Sequence, residues 1–335
     1  MTTQTSSAPI KRHFNPVPFE GDDGLFRQSW HALCKSSDVP LGGVIGCDFL
    51  DGRVVVYRGM DGRIRVMSAY CPHIGADLSL GKVKGNDLQC AFHHWEFNGN
   101  GQCIRTGIGD PAPRGACLYK FPCLEKYGVV WAFNGDTPLF DLADLSIPMD
   151  RVITTVGDPM SLRTDPWVVC CNTPDWVHFA MVHRFDVAKE GQHETIRFSE
   201  YGVERSFKTR LEYGKGPEIE FKVTVSGTSV VLVEGKLEGN WFAVAGCMGV
   251  PRPGLTNFFV VNFADAATEG GADAAQQALL KSLEISKRMG GEDAPIWDTM
   301  HFKAGLLTKS DQALATYLDK LRRYPRAHPS ADFIN

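Results

Sequence analysis

Four residues on two short segments have the types and spacing to hold a metal cluster. Cys71-Pro72-His73 and Cys90-Ala91-Phe92-His93 each offer one thiolate and one imidazole, with sixteen residues between them. Two cysteines on one iron and two histidines on the other suit a [2Fe–2S] centre. Neutral imidazoles in place of two thiolates remove negative charge and raise its reduction potential. The rival is a Cys2His2 zinc site, but C-x-H is not finger spacing and no finger helix follows. His94 stands beside His93, and the spacing favours His93. A second constellation runs from Asn172 to His183 as N-x2-D-x2-H-x4-H. Two neutral imidazoles plus a carboxylate bind Fe(II) on one face and leave positions open for O2. Asp175 and His178 share a helix face at three residues' separation, so Asp175 can orient His178 by accepting its free ring N–H. His178 and His183 are five apart, so the helix must end or bend near Val182 for both to reach one metal. An ordinary amphipathic helix with a histidine at each end is the alternative.

The elements around these residues read in two parts. Arg53–Arg58 and Arg63–Met67, joined through Asp61-Gly62, form a hairpin pattern. Phe97–Gln102 gives a further turn and Tyr127–Phe133 a further strand, so the first part is a small all-β domain over residues 21–140. An Asp- and Pro-rich stretch from 134 to 166 marks the link. The second domain, 141–335, opens with a helix from Asp175 to His183. Strand-like runs follow at 195–213, 218–226, 229–238, 241–248 and 255–263. A helix is expected from Ala274 to Met289, stopping at Gly290-Gly291, then another from Pro295 to Leu307, then a short basic one at Tyr317–Arg323. The fold class is therefore α+β, an antiparallel sheet with helices on it. Residues 1–20 read as a mobile N-terminal tail.

Composition narrows the function. A net charge of -4 gives no electrostatic reason to expect nucleic acid or an anionic membrane as partner. No apolar run approaches the length needed to span a bilayer. The Thr/Ser/Gln-rich start carries no apolar export signal, so the ten cysteines suit metal ligation and buried thiols better than a disulfide framework. Gly107-Ile108-Gly109 hints at a dinucleotide fingerprint, but Pro111 and Pro113 interrupt any helix there. Electrons must then arrive from a separate protein.

Taken together, the two patterns resemble Rieske non-haem iron oxygenases, over about residues 25 to 325. High-potential Rieske proteins of respiratory complexes add a disulfide between the cluster loops. Here those positions are Ala76 and Phe92, so the chain is similar to the oxygenase and ferredoxin branch. The tail from Leu306 to Tyr324 resembles that of 3-ketosteroid 9α-hydroxylase oxygenases. The resemblance implies a Rieske domain followed by a helix-grip catalytic domain, with the [2Fe–2S] cluster on Cys71, His73, Cys90 and His93. It implies Fe(II) on His178, His183 and Asp293, with Asp298 and Glu292 as alternatives for the carboxylate. It gives catalytic roles to Asn172 and Asp175, the latter bridging toward a Rieske histidine of a neighbouring subunit. O2 would be co-substrate in the hydroxylation or O/N-demethylation of a small, largely apolar polycyclic or alkaloid molecule. An NAD(P)H-dependent flavin/iron–sulfur reductase or a ferredoxin would supply electrons to a cytoplasmic homotrimer. Phe179, Cys247, Met248, Phe259, Ile296 and Met300 are the pocket candidates. The rival from another class is a Rieske ferredoxin-like electron carrier with an inactive second domain.

Overall fold

Alternation of apolar and polar residues organises both halves of the chain. The computed structural model describes residues 16–186, 195–237, 239–303 and 305–335. The expected hairpin is present as Gly52–Arg58 paired antiparallel with Ile64–Ser68, with Gly62 in the left-handed region (φ 77°) that its turn requires. Lys120–Phe121 and Val44–Phe49 extend it to four strands. Cys123–Lys126, Val129–Phe133 and Trp30–Lys35 make a second sheet. A third, of Lys82–Lys84, Asp87–Gln89, Glu96–Phe97 and Cys103–Arg105, supports the cluster loops. The Cys71 loop leaves the hairpin strand Ile64–Ser68, and the Cys90 loop connects the paired strands Asp87–Gln89 and Glu96–Phe97.

The second domain is built on one antiparallel sheet. Its strand order is Val152–Val156, Leu255–Asp265, Asn240–Arg252, Val230–Leu237, Glu218–Ser226, Gly202–Arg210 and Ile196–Ser199, with Met160–Leu162 also paired to Leu255–Asp265. The expected run 195–213 divides into two strands, Ile196–Ser199 and Gly202–Arg210, which pair with each other. Four helices matter for the site: α1 (Pro166–Cys170), α2 (Trp176–Met181), α3 (Gly271–Thr299) and α4 (Gln312–Arg322). Among the described residues no helix is long and apolar enough to cross a membrane.

Three sequence expectations need correction. The α3 helix runs unbroken through Gly290, Gly291 and Pro295, where two helices were expected. Glycine and proline disfavour a helix locally, but Ala275, Ala278, Leu279 and Ser282 before the glycines, Asp293 between Gly291 and Pro295, and Trp297 beyond the proline are all buried. Tertiary packing therefore carries the helix across, and the described residues of the expected second helix beyond Thr299, 300–303 and 305–307, are not helical.

The second correction is at the N-terminus. Residues 1–15 lie outside the described residues, but 16–20 do not behave as a tail. Val17 is buried in the core of the second domain, and Glu20 forms a buried ion pair with Arg27 at 2.9 Å. The third concerns the domain limit. The C-terminus returns to the first domain: Arg326–Ala327 pairs with Phe26–Arg27, and Ile334 is fully buried among Phe49, Val54 and Phe121. The stretch after residue 134 is also packed, since the Trp30 indole donates to the Phe140 carbonyl at 2.8 Å.

The domains share a core. One face of the long strands contributes Ala243, Ala245, Cys247, Phe259, Val261 and Phe263, which join Trp30, Tyr127, Trp131 and Phe133 of the first domain. The opposite face is left for the cavity described below. Since Ile334 is a buried side chain of the first domain's core, Ile334→Ala should lower stability by about 3 kcal/mol. Chemical denaturation of the variant beside the parent chain measures this, and an unchanged midpoint would contradict the packing.

Candidate functional site

The cluster loops are held by short backbone contacts. The Cys71 carbonyl accepts from Gly75 N–H at 2.8 Å, Cys71 N–H donates to Ala76 at 2.9 Å, and Cys90 N–H donates to Trp95 at 2.8 Å. Gly75 adopts φ 83°, which a side chain would strain. Cys71 and Cys90 point inward and are buried, whereas His73 and His93 are exposed. The two imidazole Nδ1 atoms lie 3.1 Å apart, and His73 stacks on Trp95 at 4.5 Å. His94 takes a left-handed backbone (φ 57°), which breaks the local run directly after His93. Burial pushes the Cys71 thiol up to about 12, and the neighbouring Cys90 adds to the push. A bound metal reverses that cost, because a coordinated thiol is deprotonated. Gly107, part of the discarded dinucleotide hint, has a different use. A Cβ there would sit 2.1 Å from the His93 carbonyl oxygen, so glycine lets the next loop close on the cluster loop.

The second constellation depends on how α2 starts and stops. Asp175 is its N-cap, and its carboxylate accepts the backbone N–H of His178 at 3.0 Å. The sequence led to the expectation that it accepts the His178 ring N–H, and this bond is not among those it makes. The extended Asp175 backbone (φ -90°, ψ 95°) sets its carboxylate against the first-turn N–H instead. The helix ends at Met181 with Val182 as C-cap, Arg184 turns left-handed (φ 59°), and Phe185 N–H returns to the Phe179 carbonyl at 3.1 Å. This is the break that the five-residue spacing demanded. It brings His183 Nε2 to 2.9 Å from His178 Nε2.

The third donor comes from α3. The Asp293 carboxylate lies 3.4 Å from each of these nitrogens. The three donor atoms all fall within 4.8 Å of one another, and the residues are buried or nearly so. Asn172 Nδ2 approaches His178 Nε2 at 3.1 Å and Asp293 at 3.5 Å. Glu292 takes a separate position, 2.9 Å from the other ring nitrogen of His183, with Arg184 3.7 Å from its carboxylate. Asp298 is turned away and paired with Arg163 at 2.9 Å. Burial pulls the His178 imidazole down to about 4, so it is neutral at physiological pH. Burial also acts to lower His183, but Asp293 and Glu292 outweigh it and hold that ring above its ordinary value. Two imidazoles and one carboxylate facing one point are the donor set of a mononuclear Fe(II) site.

A cavity opens from these donors between the sheet and α3, with about 940 Å³ of empty space counting its mouth. Its walls are apolar, with Phe179, Phe207, Phe221, Val231, Val244 and Phe258 among them. Of the six expected pocket residues only Phe179 lines it. Cys247 and Phe259 face the interdomain core, because successive strand residues point to opposite faces. Val244, Gly246, Phe258 and Val260 hold the cavity positions instead. Met248 is buried in the core cluster that contains Trp167. Ile296 and Met300 are exposed on the outer side of α3 and at its end. Alternation along 255–263 carried the needed signal, but not which parity faces inward.

Comparison with known proteins bears on the first domain and on the overall fold. Residues 29–121 match the Rieske [2Fe–2S] domain. Cholesterol 7-desaturase of Xenopus laevis is 35% identical over 170 residues, covering 48% of this chain and 36% of that protein. A probable 3-ketosteroid-9-alpha-monooxygenase oxygenase component of Rhodococcus rhodochrous is 30% identical over 171 residues, 47% of this chain and 41% of that protein. The dicamba O-demethylase oxygenase component of Stenotrophomonas maltophilia is 32% identical, covering 47% and 48%. The matched stretch thus spans less than half the length of these relatives. The whole fold is similar to that of Pseudomonas putida NdmA solved with caffeine (TM-score 0.71, 20% identity, 88% of this chain and 90% of that one). Dicamba monooxygenase bound to 3,6-dichlorosalicylic acid is also similar (TM-score 0.68, 18% identity, 89% and 97%). The architecture is therefore a Rieske domain followed by a sheet-and-helix domain of the kind those structures have.

The two sites share no ligand, so they should empty independently. His178→Ala or His183→Ala should remove mononuclear iron while the Rieske absorption stays, and Cys71→Ala should remove that absorption. Metal analysis with visible spectra separates the outcomes, and zinc without acid-labile sulfide would exclude the cluster. Glu292→Ala frees the His183 ring without removing an iron ligand. It should weaken iron binding by about 10–100-fold, read by Fe(II) titration; unchanged affinity would leave Glu292 without that part.

Proposed function

We propose that this chain is the oxygenase component of a Rieske non-haem iron system. It would use O2 and electrons from a separate protein to hydroxylate or demethylate a small, largely apolar substrate. The observation that carries this is the meeting of His178, His183 and Asp293 at an apolar cavity, in a chain that also holds a Rieske [2Fe–2S] domain. A pure electron carrier would have no use for that cavity. Cys71, Cys90, His73 and His93 are the proposed cluster ligands, and His178, His183 and Asp293 the proposed iron ligands. Bound there, the cluster would supply electrons and Fe(II) the reductive activation of O2.

The protein's own residues have separable tasks. Glu292 accepts the His183 Nδ1 proton and leaves the Nε2 lone pair free for a metal. Asn172 stands between His178 and Asp293 and can fix both. The phenylalanine walls keep water from the reacting end of the substrate. Electrons would come from an NAD(P)H-dependent reductase or a ferredoxin. The exposed His73 and His93 are surrounded by outward-facing Ile74, Phe92 and Ile108, which suits contact with another protein surface. A homotrimer in which one subunit's cluster serves the next subunit's iron through Asp175 fits this exposure. The number of thiols suits a reducing compartment, and we place the chain in the cytoplasm.

The test is turnover under ¹⁸O2 with a surrogate reductase, scored by mass spectrometry across apolar polycyclic and methoxy- or N-methyl compounds. Products carrying the label support the proposal, and reduction of the cluster without any O2-dependent product favours the electron carrier. Asp175→Asn isolates the electron route. Asparagine caps a helix as well as aspartate does, so α2, both metals and the assembly should persist while product formation drops by about 100-fold or more. Stopped-flow reoxidation of the reduced cluster, with substrate and O2 present, should slow in step. Normal reoxidation would send the electrons another way.

A further inference from the structure

Among the described residues, one cavity-lining hydroxyl lies away from the metal donors, that of Ser286. The other described lining residues with polar atoms, Asn172, Thr173, His178, His183, Asp293 and the Trp297 indole one turn beyond it, belong to the metal end. Ser286 lies on α3 among apolar neighbours, two helical turns before Asp293 and so about 10 Å from it along the axis. Its hydroxyl is 2.9 Å from Asn262 Oδ1 and 3.0 Å from the Leu283 carbonyl. Ser282 reaches the same Oδ1 at 3.2 Å and the Ala243 carbonyl at 3.4 Å. Asn262 is buried, and its Nδ2 has no partner among the described residues.

Proton counting decides what Ser286 can offer. A hydroxyl has one proton to donate and two lone pairs to accept with. With Asn262 as placed, the Ser286 proton goes to Oδ1 or to Leu283, and both Ser286 lone pairs stay open. With the amide turned over, Nδ2 donates to the two hydroxyls, whose protons then go to the carbonyls of Leu283 and Ala243. One Ser286 lone pair still remains open. In either orientation the proton is retained within the protein and the cavity meets an acceptor. A ligand ketone, ether or carboxylate finds no proton here, whereas a ligand hydroxyl does find a partner. The separation from Asp293 further requires a molecule longer than one six-membered ring.

We propose that Ser286, set by Asn262, selects an apolar polycyclic alcohol over the ketone of the same skeleton. The assignment rests on the oxygenase proposal only in taking this cavity as the substrate site. The test is calorimetric titration of the protein with both metals in place, without O2. Matched probes are 2-decalol against 2-decalone and 5α-androstan-3β-ol against 5α-androstan-3-one.

At least one alcohol should bind about fivefold more tightly than its ketone, the scale of one neutral hydrogen bond. Ser286→Ala should remove that preference by weakening the alcohol and leaving the ketone within about twofold, while Ser286→Thr, which keeps the oxygen, should retain most of it. Alanine suits a helix better than serine, so the variant keeps its fold. The proposal fails if no alcohol outbinds its ketone, or if Ser286→Ala keeps the preference. A chain that prefers alcohols but incorporates no labelled oxygen would overturn the oxygenase proposal and leave Ser286 in place. Labelled products without alcohol preference would do the reverse.

Discussion

Two imidazole nitrogens 2.9 Å apart, each 3.4 Å from one carboxylate in a largely apolar cavity, are the constraint the second domain is built around. Only one imidazole can give its proton to the other, so bringing both ring nitrogens to one point makes chemical sense chiefly for a cation between them. Burial already favours the neutral His178 that such a cation needs. Holding the arrangement requires α2 to end sharply at Val182 and α3 to continue past two glycines, since either change would carry a donor away. The left-handed Arg184 and the buried faces of α3 on both sides of Gly290-Gly291 are the local expressions of that demand.

The long sheet connects this demand to the rest of the chain through its two faces. Residues of one parity, Cys247, Phe259 and Val261, bind the second domain to the first, while Gly246, Phe258 and Val260 of the other parity shape the cavity. A slip of one residue in register would exchange these roles and lose both the domain contact and the cavity. The returning C-terminus and the buried Glu20–Arg27 pair reinforce the joint from the other side. Removing one partner of a buried pair leaves a charge without compensation and is strongly destabilising, so the N-terminal segment belongs to the scaffold.

Much of this was legible because the informative signals are local. C-x-H and C-x2-H state the cluster ligand types, and Asp61-Gly62 between alternating runs states a hairpin. The spacing of His178 and His183 even states that the helix must break. What could not be read was set by contacts distant in sequence. Gly290, Gly291 and Pro295 look like a helix end until the buried residues on either side are known. Cys247 and Phe259 look as suitable for a pocket as Val244 and Phe258 until the first domain takes one face. Asp175 was assigned the correct helix end, but whether its carboxylate meets a ring or a backbone N–H depends on its own φ and ψ.

The two metal sites differ in exposure in a way that separates their tasks. Cys71 and Cys90 are enclosed while His73 and His93 are open to the surface, so a cluster on the proposed ligands would present its imidazole edge outward. His178, His183 and Asp293 are the reverse, enclosed on the protein side and open mainly to an apolar cavity. Charge hydration is lost in such a cavity, which strengthens every electrostatic interaction inside it. An exposed edge suits exchange of electrons with another surface, and an enclosed one suits chemistry that water would divert. The carboxylate of Asp175 fits neither class. It is largely buried, raised from its ordinary range by that burial, and bonded to the backbone of the helix that carries His178. Asp175 thus touches the helix that carries His178 through its backbone and lines no part of the cavity, so its charge can be changed while both imidazoles and the cavity wall are left in place.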